Sequence, residues 1–128
     1  MPITPVKTLV AAAKAEIESL SVDQAEALLE DADTLIVDIR DPRELARDGK
    51  IPGAFHAPRG MLEFWVDPES PYAKPDLSDG RKLVLYCASA WRSALSVKTL
   101  QDMGVDKIAE IEGGFGAWKK AGKPIEEV

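Results

Sequence analysis

Over residues 82–103 the apolar pattern changes period once, and that change restricts the folds open to the chain. Residues 83–86, Leu-Val-Leu-Tyr, are a short continuous apolar run, as a strand buried on both faces requires. From Ser93 the period lengthens. Ala94, Leu95, Val97, Leu100 and Met103 are apolar, with Ser96, Lys98, Thr99, Gln101 and Asp102 between them. That spacing predicts a one-sided helix, stopped by Gly104. Cys87 and the loop Ala88-Ser89-Ala90-Trp91-Arg92 join the two. Strands alternating with helices in this way imply α/β architecture: a central parallel sheet covered by helices on both faces.

The rest of the chain supplies further units of the same kind. Val6, Leu9, Val10, Ala13 and Ile17 predict an amphipathic helix over residues 5–17, and a short strand follows at 17–20. Ser21-Val22-Asp23-Gln24 is a capping box that opens a helix through Leu29. Residues 34–38 read as a buried strand. Asp41-Pro42-Arg43-Glu44 starts a helix with a capping aspartate, proline at the first position and glutamate at the third. Gly49 ends it. Residues 54–56 are a candidate strand, 59–66 a candidate helix, and 67–79, with three prolines, a surface excursion. A strand at 107–111 and a helix from Gly113 or Gly114 around Trp118 complete the pattern. The acidic tail, 122–128, is expected to be mobile at its end.

Cys87, the only cysteine, thus falls where a strand ends and a helix begins. The first amides of a helix lack intrahelical partners and carry a partial positive charge. A thiol facing them has its thiolate stabilised, and successive loop amides can form an anion nest. Arg92 adds a fixed cation. A cation at a helix start is unfavourable unless an anion answers it. Asp38, closing its own strand, would share this sheet edge with Cys87, the edge where parallel sheets bind ligands. The competing reading is a buried cysteine that merely ends a core strand.

Four ordered stretches extend the picture: Asp38-Ile39-Arg40-Asp41-Pro42-Arg43-Glu44, Ile51-Pro52-Gly53-Ala54, Cys87-x4-Arg92-Ser93 and Gly113-Gly114-Phe115-Gly116-Ala117-Trp118. Together, from about residue 17 onward, they resemble the rhodanese family of single-domain sulfurtransferases. The resemblance implies a five-stranded rhodanese-like domain over residues 17–128, with residues 1–16 as an N-terminal helix packed upon it. It also implies Cys87 as a nucleophile that takes a sulfane sulfur as a persulfide and passes it on. Ala88, Ser89, Ala90, Trp91, Arg92 and Ser93 would form the substrate loop, with Asp38 and Arg40 supporting it. Ser93 is read first as a helix cap and second as a donor to the sulfur. No cofactor or metal is implied: one histidine, His56, and one cysteine cannot make a metal cluster. The implied partners are a small sulfur donor, thiosulfate or a persulfide, and a thiol or cyanide acceptor, which could be a protein thiol.

Three positions depart from the family pattern. Ala90 stands where glycine is common, at a place that asks for positive φ. Lys50 replaces the usual histidine before Ile51. The loop 88–91 has no basic residue, so thiosulfate is expected to be a poor donor, while Trp91 suits a larger or more apolar one. Rival functions remain: a non-catalytic or weakly active sulfur-carrier or regulatory module, a redox-sensing thiol, or a cysteine-dependent phosphatase. The phosphatase loop has one residue more between cysteine and arginine than the four found here.

With 16 basic and 22 acidic residues in 128, a net charge of −6, the chain is a poor candidate for nucleic-acid binding. Its longest apolar run, 83–88, is too short to span a membrane, and no signal-peptide pattern opens it. A lone reactive thiol fits a reducing compartment, so the cytoplasm is expected.

Overall fold

The computed structural model describes residues 2–128. Five strands form one parallel sheet: β1 (Ser19–Leu20), β2 (Thr34–Asp38), β3 (Phe55–His56), β4 (Lys82–Tyr86) and β5 (Ile108–Ile111), in the order β1-β5-β4-β2-β3. The helices are α1 (Val6–Lys14), α2 (Val22–Glu26), α3 (Pro42–Asp48), α4 (Leu62–Val66), α5 (Trp91–Met103) and α6 (Gly114–Lys120). The parallel α/β fold read from the sequence is the one observed.

Period-two alternation sorts the central strands onto two cores. Val37, Leu83, Leu85, Cys87 and Ile108 pack with Leu62 of α4 and with Val97 and Leu100 of α5. Ile36, Val84, Tyr86, Ala109 and Ile111 face the other way, against Ala25 of α2 and against Phe115 and Trp118 of α6. Burying each such aliphatic side chain contributes about 1.5–3 kcal/mol. Helix α1 lies outside α5, with Val10 and Ala13 against Ala94.

Several boundaries shift from expectation. The helix expected over 5–17 stops at Lys14, and the one capped by Ser21 runs only to Glu26 before turning. The 59–66 helix opens as a 3-10 turn over Arg59–Met61. The tail is paired with the domain as far as Glu126. Lys50 and Glu126 exchange backbone hydrogen bonds of 2.9 and 2.8 Å, and the Trp118 indole donates to the Pro124 carbonyl at 2.6 Å.

Candidate active site

Strand β4 delivers Cys87 to the carboxyl edge of the sheet, and the chain turns at once into α5. That helix starts at Trp91, two residues earlier than its apolar period shows, because Ala90 takes the left-handed conformation at φ 71° and reverses the chain in a single residue. A left-handed non-glycine residue is unfavourable by roughly 1–2 kcal/mol, so the tight turn is held by what surrounds it. The start of α6 does part of that holding. Phe115 N–H donates to the Cys87 carbonyl at 2.7 Å and Gly116 N–H to the Ala88 carbonyl at 3.0 Å. Gly114, at φ 60°, lies so close that a Cβ on it would sit 2.4 Å from the Cys87 carbonyl oxygen. The Gly113-Gly114 pair therefore lets a helix end approach the loop backbone.

The sulfur does not meet a ring of loop amides. Cys87 has no exposed surface, and Sγ accepts one N–H, from Ser93 at 3.3 Å. Its thiol points at the Ser93 hydroxyl, 3.6 Å away. Ser93 is thus not a helix cap: Ala90 holds that place, and Ser93, on the first turn, turns its side chain inward. Ser93 Oγ donates in turn to Glu110 Oε1 at 2.7 Å. Glu110 is a fully buried carboxylate on β5, also held through Oε2 by Ser19 Oγ at 2.7 Å and Lys14 Nζ at 3.0 Å. Sequence reasoning missed Glu110. The available signal was a charged residue inside the buried run Ile108-Ala109-Glu110-Ile111.

Arg92 finds the answering anion that its place on the helix requires. Its guanidinium grips Glu44 with two bonds, 2.8 and 2.9 Å, while Glu44 Oε2 also closes the α3 capping box on Asp41 N–H at 3.0 Å. The Arg92 contacts hold the Glu44 carboxyl below the usual range. Glu44, in return, favours the charged form of Arg92, with a smaller contribution from Cys87. Nothing in the sequence joins residues 44 and 92.

Asp38 and Arg40 lie beneath the site, where they brace neighbouring elements against one another. The buried Asp38 carboxylate accepts from Arg40 Nη2 at 2.7 Å and from the Tyr86 hydroxyl at 2.6 Å. Arg40 also donates to the Gly49 carbonyl at 2.7 Å and stacks 4.3 Å from the Phe115 ring centroid. Burial opposes the Arg40 charge, but the Asp38 contacts outweigh it and raise its basicity. Burial, seconded by Asp38, pushes Tyr86 well above the ordinary phenol range, so it stays a donor. Tyr86 Oη also accepts Ile51 N–H at 3.0 Å, which anchors the Ile51-Pro52-Gly53-Ala54 turn next to the residue before Cys87. The Nε2–H of His56 is spent on the Arg40 carbonyl at 2.7 Å. Of the loop residues, Ala90 is buried, Ser89 exposed and Trp91 46% exposed. Among the described residues no group of side chains could hold a metal, and no helix is long and apolar enough to cross a membrane.

A parallel sheet with one cysteine at its carboxyl edge, set in a strand-to-helix loop pinned by a glycine-started helix, defines a class of domain. The chain belongs to the rhodanese-like domain family, which matches residues 21–121. A sulfurtransferase of Allochromatium vinosum is 34% identical over 110 residues, 86% of this chain and 92% of that protein. Two solved structures superpose closely. A protein of unknown function from Rhodopseudomonas palustris, described as a possible tyrosine phosphatase, is 56% identical with a TM-score of 0.92, covering 98% of this chain and 99% of that one. The homodimeric polysulfide-sulfur transferase of Wolinella succinogenes is 35% identical with a TM-score of 0.72, covering 95% and 87%. The chain is of sulfurtransferase type.

Proposed function

We propose that this domain transfers a sulfane sulfur from a persulfide or polysulfide donor to a thiol acceptor through a persulfide on Cys87. The observation that carries the choice of donor is the pairing of Arg92. Its guanidinium is committed to Glu44, and residues 88–91 bring no other cation, so a dianion such as thiosulfate would meet little compensating charge. A monoanionic or neutral persulfide asks for less, and the half-exposed Trp91 offers its organic part an apolar wall. Ala88, Ser89 and Ala90 supply backbone around the transferred sulfur. Arg92 and Ser93 fix the loop, and Asp38 and Arg40 support its base. The likeness to a polysulfide-sulfur transferase supports the same reading. Because the sulfur is covered, the loop must open for a donor to reach it, and this makes loop opening part of turnover. We assign the reaction to a reducing compartment such as the cytoplasm, where a lone persulfide-carrying thiol is kept from oxidation.

The test is intact-protein mass after incubation with a persulfidated thiol and, separately, with thiosulfate. The expected result is one added sulfur atom on Cys87 with the persulfide donor, less with thiosulfate, and none in Cys87→Ser. No added sulfur from either donor overturns the proposal. The phosphatase reading, raised by the Rhodopseudomonas relative, is opposed by the four-residue gap between Cys87 and Arg92 and by an arginine turned to Glu44. Phosphate release from p-nitrophenyl phosphate that is lost in Cys87→Ser would reverse that judgement.

A further inference from the structure

Between the thiol and the N-terminal helix runs a continuous hydrogen-bonded line that crosses four elements. Cys87 S–H points to Ser93 Oγ, 3.6 Å away, and Ser93 O–H donates to Glu110 Oε1 at 2.7 Å. On its far oxygen Glu110 receives Ser19 of β1 at 2.7 Å and Lys14 of α1 at 3.0 Å. The direction is fixed by counting protons. A serine hydroxyl has one, and here it is given to the carboxylate, so only a lone pair is left toward sulfur. The line therefore leads a proton away from Cys87 and toward Glu110. A buried carboxylate is unfavourable without partners, and this one, held by Lys14 and Ser19, stands two hydrogen bonds from Cys87 Sγ.

We propose that Glu110 is a positioning residue and proton acceptor for Cys87, acting through Ser93, and that Lys14 of the N-terminal helix tunes it. The inference rests on Cys87 being the nucleophile. In the first step Cys87 gives its proton to Ser93 Oγ while Ser93 gives its own to Glu110 Oε1, leaving a thiolate and a neutral carboxyl. The thiolate electron pair forms a bond to the outer sulfur of a donor R–S–SH, and R–S⁻ departs with the electrons of the broken S–S bond. When an acceptor thiolate takes that outer sulfur, Cys87 is left as thiolate and recovers the proton from Glu110 by the same route. No other oxidant or base is needed. Beside Cys87, the line's charged groups are tied in two pairs: Lys14 of α1 with Glu110 of β5, and, on the helix that carries Ser93, Arg92 with Glu44 of α3.

The experiment is the rate of Cys87 alkylation by iodoacetamide against pH, followed by mass, in the wild type and in Glu110→Gln, Lys14→Met and Ser93→Ala. Proton transfer inside the protein does not depend on bulk pH, so the wild-type rate is expected to level off on the acid side of neutrality. Without the acceptor, Glu110→Gln should instead lose about tenfold per pH unit there. Lys14→Met removes the charge that favours the carboxylate, so the acceptor holds the proton more readily and alkylation is expected to quicken roughly threefold or more. Ser93→Ala should cancel the Lys14→Met effect. A merely structural role would move Glu110→Gln and Lys14→Met in the same direction. That outcome, or a wild-type rate that falls as steeply as that of Glu110→Gln, overturns the proposal. If Glu110→Gln does not fold, the opposed pair Lys14→Met and Ser93→Ala decides, because Lys14 is one-third exposed and its loss leaves the core intact. Alkylation requires no sulfur donor, so this result stands apart from the persulfide test.

Discussion

Ala90 carries the whole reversal from strand to helix at φ 71°, and a glycine would do so without steric conflict. Ala90→Gly removes roughly 1–2 kcal/mol of strain and restores about 0.4–1 kcal/mol of unfolded-state freedom. A net stabilisation of about 0.5 kcal/mol is expected, read as a higher urea midpoint with unchanged slope. Gly114 is the converse case. A methyl there meets the Cys87 carbonyl at 2.4 Å and two atoms of the Ala88 carbonyl group at 2.9 Å, all backbone. Gly114→Ala is expected to lose about 2–4 kcal/mol from overpacking and positive φ together, and sulfur loading of Cys87 should fall with it. Unchanged loading would show that α6 does not govern the loop.

At the scale of elements, ion pairs brace secondary structures against one another. Asp38–Arg40 ties the end of β2 to the Gly49 turn and, through Tyr86, to β4. Arg40→Met would leave a buried carboxylate with the tyrosine as its main side-chain donor, and about 3–5 kcal/mol of stability should be lost in denaturant unfolding. Glu44–Arg92 ties α3 to α5 and is partly exposed, so its effect is modest and sensitive to salt. Its sign with pH is fixed. An acid depressed in the folded state stabilises the fold above its unfolded pKa, about 4.3, and that contribution is lost as pH falls through the folded value. The gap in unfolding midpoint between wild type and Glu44→Gln should be widest at neutral pH and close in acid. A gap that widens in acid would show that the pair is not the cause.

For the molecule as a whole, the tail pairs with Lys50, next to the turn that Tyr86 anchors. Two backbone bonds between Lys50 and Glu126 and the Trp118–Pro124 bond are lost if residues 123–128 are removed. At about 1 kcal/mol each, a loss of roughly 3 kcal/mol is expected, visible as a lower melting temperature. The N-terminal helix is bound from the other side, by Val10 and Ala13 on Ala94 and by Lys14 on Glu110. A cavity of about 650 Å³, lined by Val66, Leu77, Leu83 and Val105 among others, opens at the opposite edge of the sheet from Cys87. The candidate site lies instead where ligands of parallel sheets are expected, beyond the carboxyl ends of the strands.

The sequence by itself determined the parallel sheet, the strands at 34–38 and 83–86, the capping boxes at Ser21 and Asp41, and the place of Cys87 between strand and helix. These follow from residues within a turn or two of one another, where period and capping chemistry are written locally. Tertiary structure alone decided that α5 begins at Trp91, that Ser93 faces the sulfur, and that Glu44 and Glu110 meet Arg92 and Ser93. Those partners lie 48 and 17 residues from Arg92 and Ser93, and Lys14 lies 96 from Glu110. Contacts at such separations are set by strand order and register, which no local pattern records.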